Sequence, residues 1–141
     1  VYLKVGELDN SLDYFKRALI ITDENGEKLG YVRALENLGV VYFYEKNYEE
    51  AIPYLENIVN TKNDEKIRTV AIGSLGNIIS LEAVQALERL KLKEKGIFMK
   101  KIIERSIEKI ENKKLRESFE DERRKRTERM KEWEERNPKG R

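Results

Sequence analysis

The chain repeats itself at an interval of forty residues, and this limits what it can fold into more than any other feature. Leu12, Tyr14, Phe15, Ala18 and Leu19 return as Ile52, Tyr54, Leu55, Ile58 and Val59. Around them Tyr2 returns as Tyr42, Leu8 as Tyr48 and Ser11 as Ala51, while Gly6 is replaced by Lys46. Apolar positions recurring at helical spacing within each copy describe a helical unit that cannot bury its apolar face alone and must stack on its neighbour. The expected fold class is therefore all-α, a right-handed solenoid of stacked antiparallel helix hairpins, with no strand. Helices are expected near 8–21, 28–45, 48–61, 65–79, 82–92 and 98–111.

In the second copy Leu38, Gly39, Tyr42, Tyr48, Ala51, Leu55 and Ile58 stand at the spacings of a known signature. On these residues the chain resembles the tetratricopeptide repeat over residues 1–63, with the first unit truncated. Gly39 and Ala51 are read as the small residues where two antiparallel helices cross most closely. The period exceeds the family's usual thirty-four residues, and the extra length falls between Thr22 and Gly30, where Asp23, Glu24, Asn25 and Gly26 supply turn chemistry. Because the chain starts at Val1, inside a unit, it is expected to be part of a longer protein. Its exposed N-terminal face is expected to be covered by a second copy.

Local chemistry sets the helix boundaries. Asn47 with Glu50 reads as an N-cap and capping box, and Asn63 and Asp64 as the end of one helix and the cap of the next. Pro53 is expected to distort the start of its helix without breaking it. From Asp64 the register changes. Ile67, Arg68, Ala71, Leu75, Gly76, Asn77 and Ile78, then Glu82, Ala83, Val84, Ala86, Leu87 and Leu90, resemble a HEAT repeat of the short kind found in phycocyanobilin lyases. A second such unit follows at a spacing of 32, with Met99, Ile103, Ile107 and Ile110 under Ile67, Ala71, Leu75 and Ile78. This resemblance assigns residues 64–111 to HEAT-like hairpins, in which Gly76 and Ala83 serve packing. It implies a fold and not the lyases' activity. A third tetratricopeptide unit is the competing reading of residues 64–91.

Residues 112–141 form a third segment, a charged C-terminal helix or tail. Its large apolar groups are Leu115, Phe119, Met130 and Trp133, which fall within about 60° of helical arc. Glu122 and Arg126 interrupt that stripe. Charge is graded along the chain: residues 1–63 hold 7 basic and 11 acidic side chains, residues 64–111 hold 10 and 8, and residues 112–141 hold 12 and 8. Asn137, Pro138 and Gly140 should end any helix.

Composition excludes much chemistry. Without His or Cys there is no imidazole base, no thiolate nucleophile and no common zinc ligand set. Adjacent carboxylates such as Glu49 and Glu50 point about 100° apart on a helix, so they do not converge on one site. Gly73 and Gly76 lie inside an apolar helical pattern, where close packing explains them better than a phosphate loop. No enzyme activity, metal or cofactor is expected. Neither a membrane span nor a signal peptide is read in the sequence, and the expected location is the cytoplasm. Charged residues at 40%, dominated by Lys and Glu, give a thermophile-like composition.

What remains is binding. The tetratricopeptide resemblance implies a concave groove lined by Arg33, Glu36, Asn37, Val40, Phe43 and Tyr44, with Leu3 and Lys4 from the preceding unit. Members of the family that clamp a C-terminal carboxylate use Lys and Asn at several of these positions. Here only Asn37 is kept, so the expected ligand is an extended or helical peptide that offers apolar groups. The function expected is a protein-interaction scaffold. The alternative is a nucleic-acid-associated adaptor using Arg123, Arg124, Lys125, Arg126, Arg129 and Trp133, although flanking carboxylates stand close enough to neutralise that cluster.

Overall fold

The computed structural model describes residues 5–45 and 47–138, and side chains from residue 10 onward. Lys4, Leu3, Tyr2 and Lys46, all named above, lie outside the described residues. Six helices follow one another, α1 (Val5–Glu24), α2 (Lys28–Glu45), α3 (Tyr48–Thr61), α4 (Glu65–Gly76), α5 (Leu81–Lys93) and α6 (Ile97–Arg136), and no strand occurs among the described residues. The fold is all-α. It divides into two compact units, Val1–Ile110 and Glu111–Arg141, whose boundary falls inside α6.

Turn chemistry explains the first connection. Gly26 takes a φ of 69°, the left-handed conformation that costs a residue with a Cβ most. Around it the Glu27 N–H donates to the Thr22 carbonyl at 2.8 Å and the Gly26 N–H to the Asp23 carbonyl at 3.2 Å. This pair of bonds is the Schellman arrangement, which satisfies the carbonyls left over at the end of α1. Asp64 caps α4 by accepting the Ile67 N–H at 3.1 Å, and Ser80 caps α5 by accepting the Ala83 N–H at 3.1 Å.

Three local expectations need correction. Asn47 holds the N-cap position of α3 without a side-chain cap bond; its Nδ2 instead donates to Glu50 Oε2 at 3.1 Å, while Glu50 Oε1 pairs with Lys16 on α1. The fourth helix stops at Gly76 and not at residue 79. Ile78 and Ile79 continue the apolar pattern, but Ser80 is committed to capping the next helix, so the chain turns before them. Nor does the last helix stop at 111; it runs to Arg136, and the Asn137 N–H closes it on the Trp133 carbonyl. The third helix runs from Tyr48 to Thr61 with Pro53 inside it.

The first unit is a helical solenoid of two rows. One row holds α2, α4 and the first part of α6; the other holds α1, α3 and α5. Contacts join α2 to α4, α3 to α5 and α3 to α4, and α1 packs on α2. The core is continuous from Leu19 through Leu35, Leu38, Leu55, Ile72, Leu75 and Leu87 to Ile103 and Ile110. Ala51 and Ala83 are fully buried within it.

Gly39 serves a different approach from the one expected. A Cβ placed there would lie 2.5 Å from Ser74 Oγ, on α4 in the same row. One step further along the row, a Cβ at Gly76 would lie 3.0 Å from the Cβ of Ser106, on α6. Ser74 and Gly76 are two residues apart, about 200° around α4, so each meets the neighbour on its own side. The glycine of one row helix receives the serine of the next, twice.

In the second unit, residues 111–138 contribute no buried side chain. Asp121 accepts from Arg124 and also pairs with Lys125 at 3.1 Å, while Glu128 stands 3.9 Å from Arg124. These i to i+3 and i to i+4 pairs lie on one side of the helix and support it locally.

Candidate functional site

The α2 and α4 helices leave an open groove between them in the first unit. It encloses about 560 Å³ and is lined by Glu36, Gly39, Val40, Phe43 and Tyr44 from α2, by Val70, Gly73, Ser74 and Asn77 from α4 and its end, and by Lys109 from α6. Four of the six α2 residues expected to face a ligand thus line one wall, at the helical spacing 36, 40, 43 and 44. Arg33 and Asn37 are exposed but do not line this groove. Lys4 lies outside the described residues.

Val40, Phe43 and Tyr44 remain 47%, 41% and 52% exposed. Neighbouring helices therefore do not cover them. The Phe43 and Tyr44 rings stand edge to face, with centroids 5.6 Å apart and an interplanar angle of 80°, a favourable arrangement that holds two large apolar surfaces toward solvent. Opposite them the α4 wall is low. Gly73 was expected to serve close helix packing, yet a Cβ there would meet nothing within 4 Å. It leaves the groove floor open, and packing accounts only for Gly76.

The polar boundary is made by Glu36 at one end and by Lys109 at the other. Lys109 Nζ donates to Asn77 Oδ1 at 2.5 Å, which steers the ammonium along the groove edge. Most of the surface between is apolar or backbone. These walls offer apolar contact area and hydrogen-bonding groups to a ligand; no group of three or more Asp, Glu, His or Cys is placed to hold a metal among the described residues.

The α4 wall was missed, although a signal for it exists. Aligning Leu75 and Gly76 on Leu38 and Gly39 sets a spacing of 37, which carries Arg33, Glu36, Asn37 and Val40 onto Val70, Gly73, Ser74 and Asn77. All four line the groove. A further step of 32 takes Asn77 to Lys109.

The basic positions of the second unit are exposed, as is Trp133 at 55%. Two of them are engaged by carboxylates: Arg124 with Asp121 and Glu128, and Lys125 with Asp121. The two cations hold the Asp121 carboxyl below its ordinary range, the Lys125 hydrogen bond contributing most. Arg123, Arg126 and Arg129 form no ion pair among the described residues.

No described helix is long and apolar enough to cross a membrane. Among curated proteins and among solved structures, none matches the chain. Residues 1–62 match the family model of the tetratricopeptide repeat, a unit that generally mediates protein–protein interaction.

Proposed function

We propose that the chain is a non-catalytic scaffold that holds a peptide or protein segment in the groove between α2 and α4. The observation that carries this reading is the exposed row Val40, Phe43 and Tyr44 facing a floor left open at Gly73. A glycine inside a helix costs roughly 0.5–1 kcal/mol relative to alanine, and no neighbour among the described residues requires one at this position. A ligand backbone passing close to α4 would require it. Glu36 and Lys109 at the two ends favour a segment that carries a cation toward one end and a carboxylate toward the other.

The domain reading belongs to the same proposal: residues 1–63 as tetratricopeptide units, 64–111 as HEAT-like hairpins that lengthen the groove, and 112–141 as a charged helix with a separate role. Helix length supports the distinction, since α2 continues for six residues past Gly39 whereas α4 ends at Gly76 itself. The cytoplasm is the expected compartment. The nucleic-acid reading draws less support, because Asp121 and Glu128 engage two of the five basic side chains.

The test uses peptides selected from a random twelve-residue display library on the whole chain. Gly73→Leu fills the floor with a good helix former, and Phe43→Ala with Tyr44→Ala removes the wall. Selected peptides should lose at least tenfold in affinity to each variant, while helicity and melting temperature hold or, for Gly73→Leu, rise. Unchanged affinity in both variants would place the binding surface elsewhere.

A further inference from the structure

The second unit carries an apolar stripe that no described side chain covers: Leu115, Phe119, Met130 and Trp133 are 57%, 63%, 55% and 55% exposed. Glu122 and Arg126 lie on the same face, and neither forms an ion pair among the described residues, although Asp121, Arg124, Lys125 and Glu128 beside them do. The positions 115, 119, 122, 126, 129 or 130, and 133 alternate steps of four and three, the spacing of a coiled-coil seam.

We propose that this stripe pairs with the same stripe of a second copy of the chain, antiparallel and centred on Arg124. The sequence is arranged for that occupant. With Arg124 at the two-fold axis, Leu115 meets Trp133 of the second copy, Phe119 meets its Arg129 and Met130, and Glu122 meets its Arg126. Both interruptions of the stripe are absorbed in one opposite-charge contact, Glu122 with Arg126 of the other copy, made twice by symmetry.

Charge around the two apolar ends agrees. Lys113, Lys114 and Arg116 surround Leu115 with Glu117, whereas Glu132, Glu134 and Glu135 surround Trp133 with Lys131, and Glu117 and Lys131 also meet in this register. Antiparallel pairing lays three cations beside three carboxylates at each end. Parallel pairing would instead set Glu122 on Glu122, Arg126 on Arg126 and like charge on like at both ends, which is unfavourable. Charged residues at seam positions weaken a coiled coil while fixing its orientation, so the pair is a device for specificity. Near the axis Arg123 meets Lys125 of the other copy, a like-charge contact that Asp121, paired with Lys125 within each chain, offsets in part. The helix from Glu111 to Arg136 is about 39 Å long, and the paired stripe uses most of that length. The surface draws only on residues beyond 110, so its test stands apart from that of the groove.

Sedimentation of the full chain decides the matter, with Trp133, the single Trp, as a fluorescence reporter. The wild type should dimerise by about 100 µM, corresponding to a binding free energy of about 5.5 kcal/mol, with the Trp133 emission shifting to the blue as concentration rises. Glu122→Arg and Arg126→Glu should each weaken the dimer at least tenfold. The double variant Glu122→Arg with Arg126→Glu should restore it, and an equimolar mixture of the two single variants should form a heterodimer. Orientation is read by cysteines in this Cys-free chain: Leu115→Cys mixed with Trp133→Cys should crosslink, and Leu115→Cys alone should not, because its copies stand about 27 Å apart. A wild type that stays monomeric, a double variant no tighter than the singles, or self-crosslinking of Leu115→Cys would each overturn the proposal. If the charge variants lose helicity by circular dichroism, the cysteine pair decides.

Discussion

A methyl group added at Gly39 would stand 2.5 Å from the Ser74 hydroxyl, whereas one added at Gly73 would meet nothing within 4 Å. Two glycines on neighbouring helices of one row therefore predict opposite responses. Gly39→Leu should destabilise by about 1–3 kcal/mol, since α2 and α4 must separate to admit the side chain; Gly73→Ala should stabilise by about 0.5–1 kcal/mol through helix propensity alone. Chemical denaturation of both variants checks the pair, and equal signs would refute the assignment of one to packing and the other to the groove. Tyr42 allows a test by pH. Its hydroxyl is buried without a hydrogen-bond partner among the described residues, and its pKa is raised above the ordinary 10.0, first by burial and then by Tyr54 and Glu45. Burial likewise pushes Tyr31 up to about 12. A raised tyrosine keeps its proton in the folded state after the unfolded chain has lost it. The stability it contributes is thus complete below pH 10.0 and falls as pH climbs past that value. Thermal stability should decline above pH 10, and Tyr42→Phe should make the decline shallower. Near neutral pH the same substitution removes an unsatisfied buried group and should be neutral or stabilising by up to about 1 kcal/mol; a loss of several kcal/mol would show that the hydroxyl has a partner.

At the scale of helices, ion pairs link elements that the sequence separates. Lys16 joins α1 to α3 through Glu50 and stands 5.4 Å from the Tyr54 ring, while Arg89 grips Glu56 with two bonds of 2.8 and 3.0 Å, joining α5 to α3. The Arg68 and Glu94 pair closes the α4–α5 hairpin, with the Glu94 side chain only 10% exposed. Burial pushes the Glu94 carboxyl up, but bonds from Arg68 and from the Gly96 N–H outweigh it and leave the pKa below the ordinary 4.5. A depressed carboxylate stabilises above the unfolded value and loses that contribution as pH falls through the folded one. Melting temperature should therefore drop as pH falls below 4.5, and Glu94→Gln should flatten that drop while lowering stability at neutral pH; an unchanged acid limb would remove Glu94 from the hairpin's accounting. The bounds of α2 and α3 were legible in the sequence because the turn at Gly26 precedes α2 and Asn47 and Asp64 flank α3, although Asn47 marks its start without a side-chain cap bond. The end of α4 was not, because Ile78 and Ile79 prolong the apolar rhythm through a turn that Ser80 dictates from the far side. Gly39 announced a close approach without naming the helix. Periodicity reports that a face is buried; which neighbour buries it is settled by stacking between units. The far wall of the groove could have been read, since the Leu75 and Gly76 pair transfers four lining positions at once.

At the scale of the whole molecule, the buried core among the described side chains runs from Leu19 to Ile110, and the described residues beyond Ile110 add nothing to it. In a stacked array each helix pair depends on its immediate neighbours, so stability is approximately a sum of local terms. A helix without buried apolar contacts owes its order to side-chain pairs along its own surface, each worth about 0.2–0.5 kcal/mol. The two units should then respond differently to truncation. A chain ending at Asn112 should keep the main unfolding transition within about 2 °C of the full chain, because a loss of 1 kcal/mol in a unit of this size corresponds to a shift of about 4–8 °C. It should also keep the affinity of groove-selected peptides, since Lys109 is the last residue lining that groove. Self-association through the Leu115 to Trp133 stripe should vanish with the deleted residues. Calorimetry, peptide titration and sedimentation on the one truncated protein separate these outcomes. A transition lowered by 5 °C or more would mean that residues beyond 112 contribute to the stability of the solenoid, and the division of labour between a binding groove and an associating helix would then have to be abandoned.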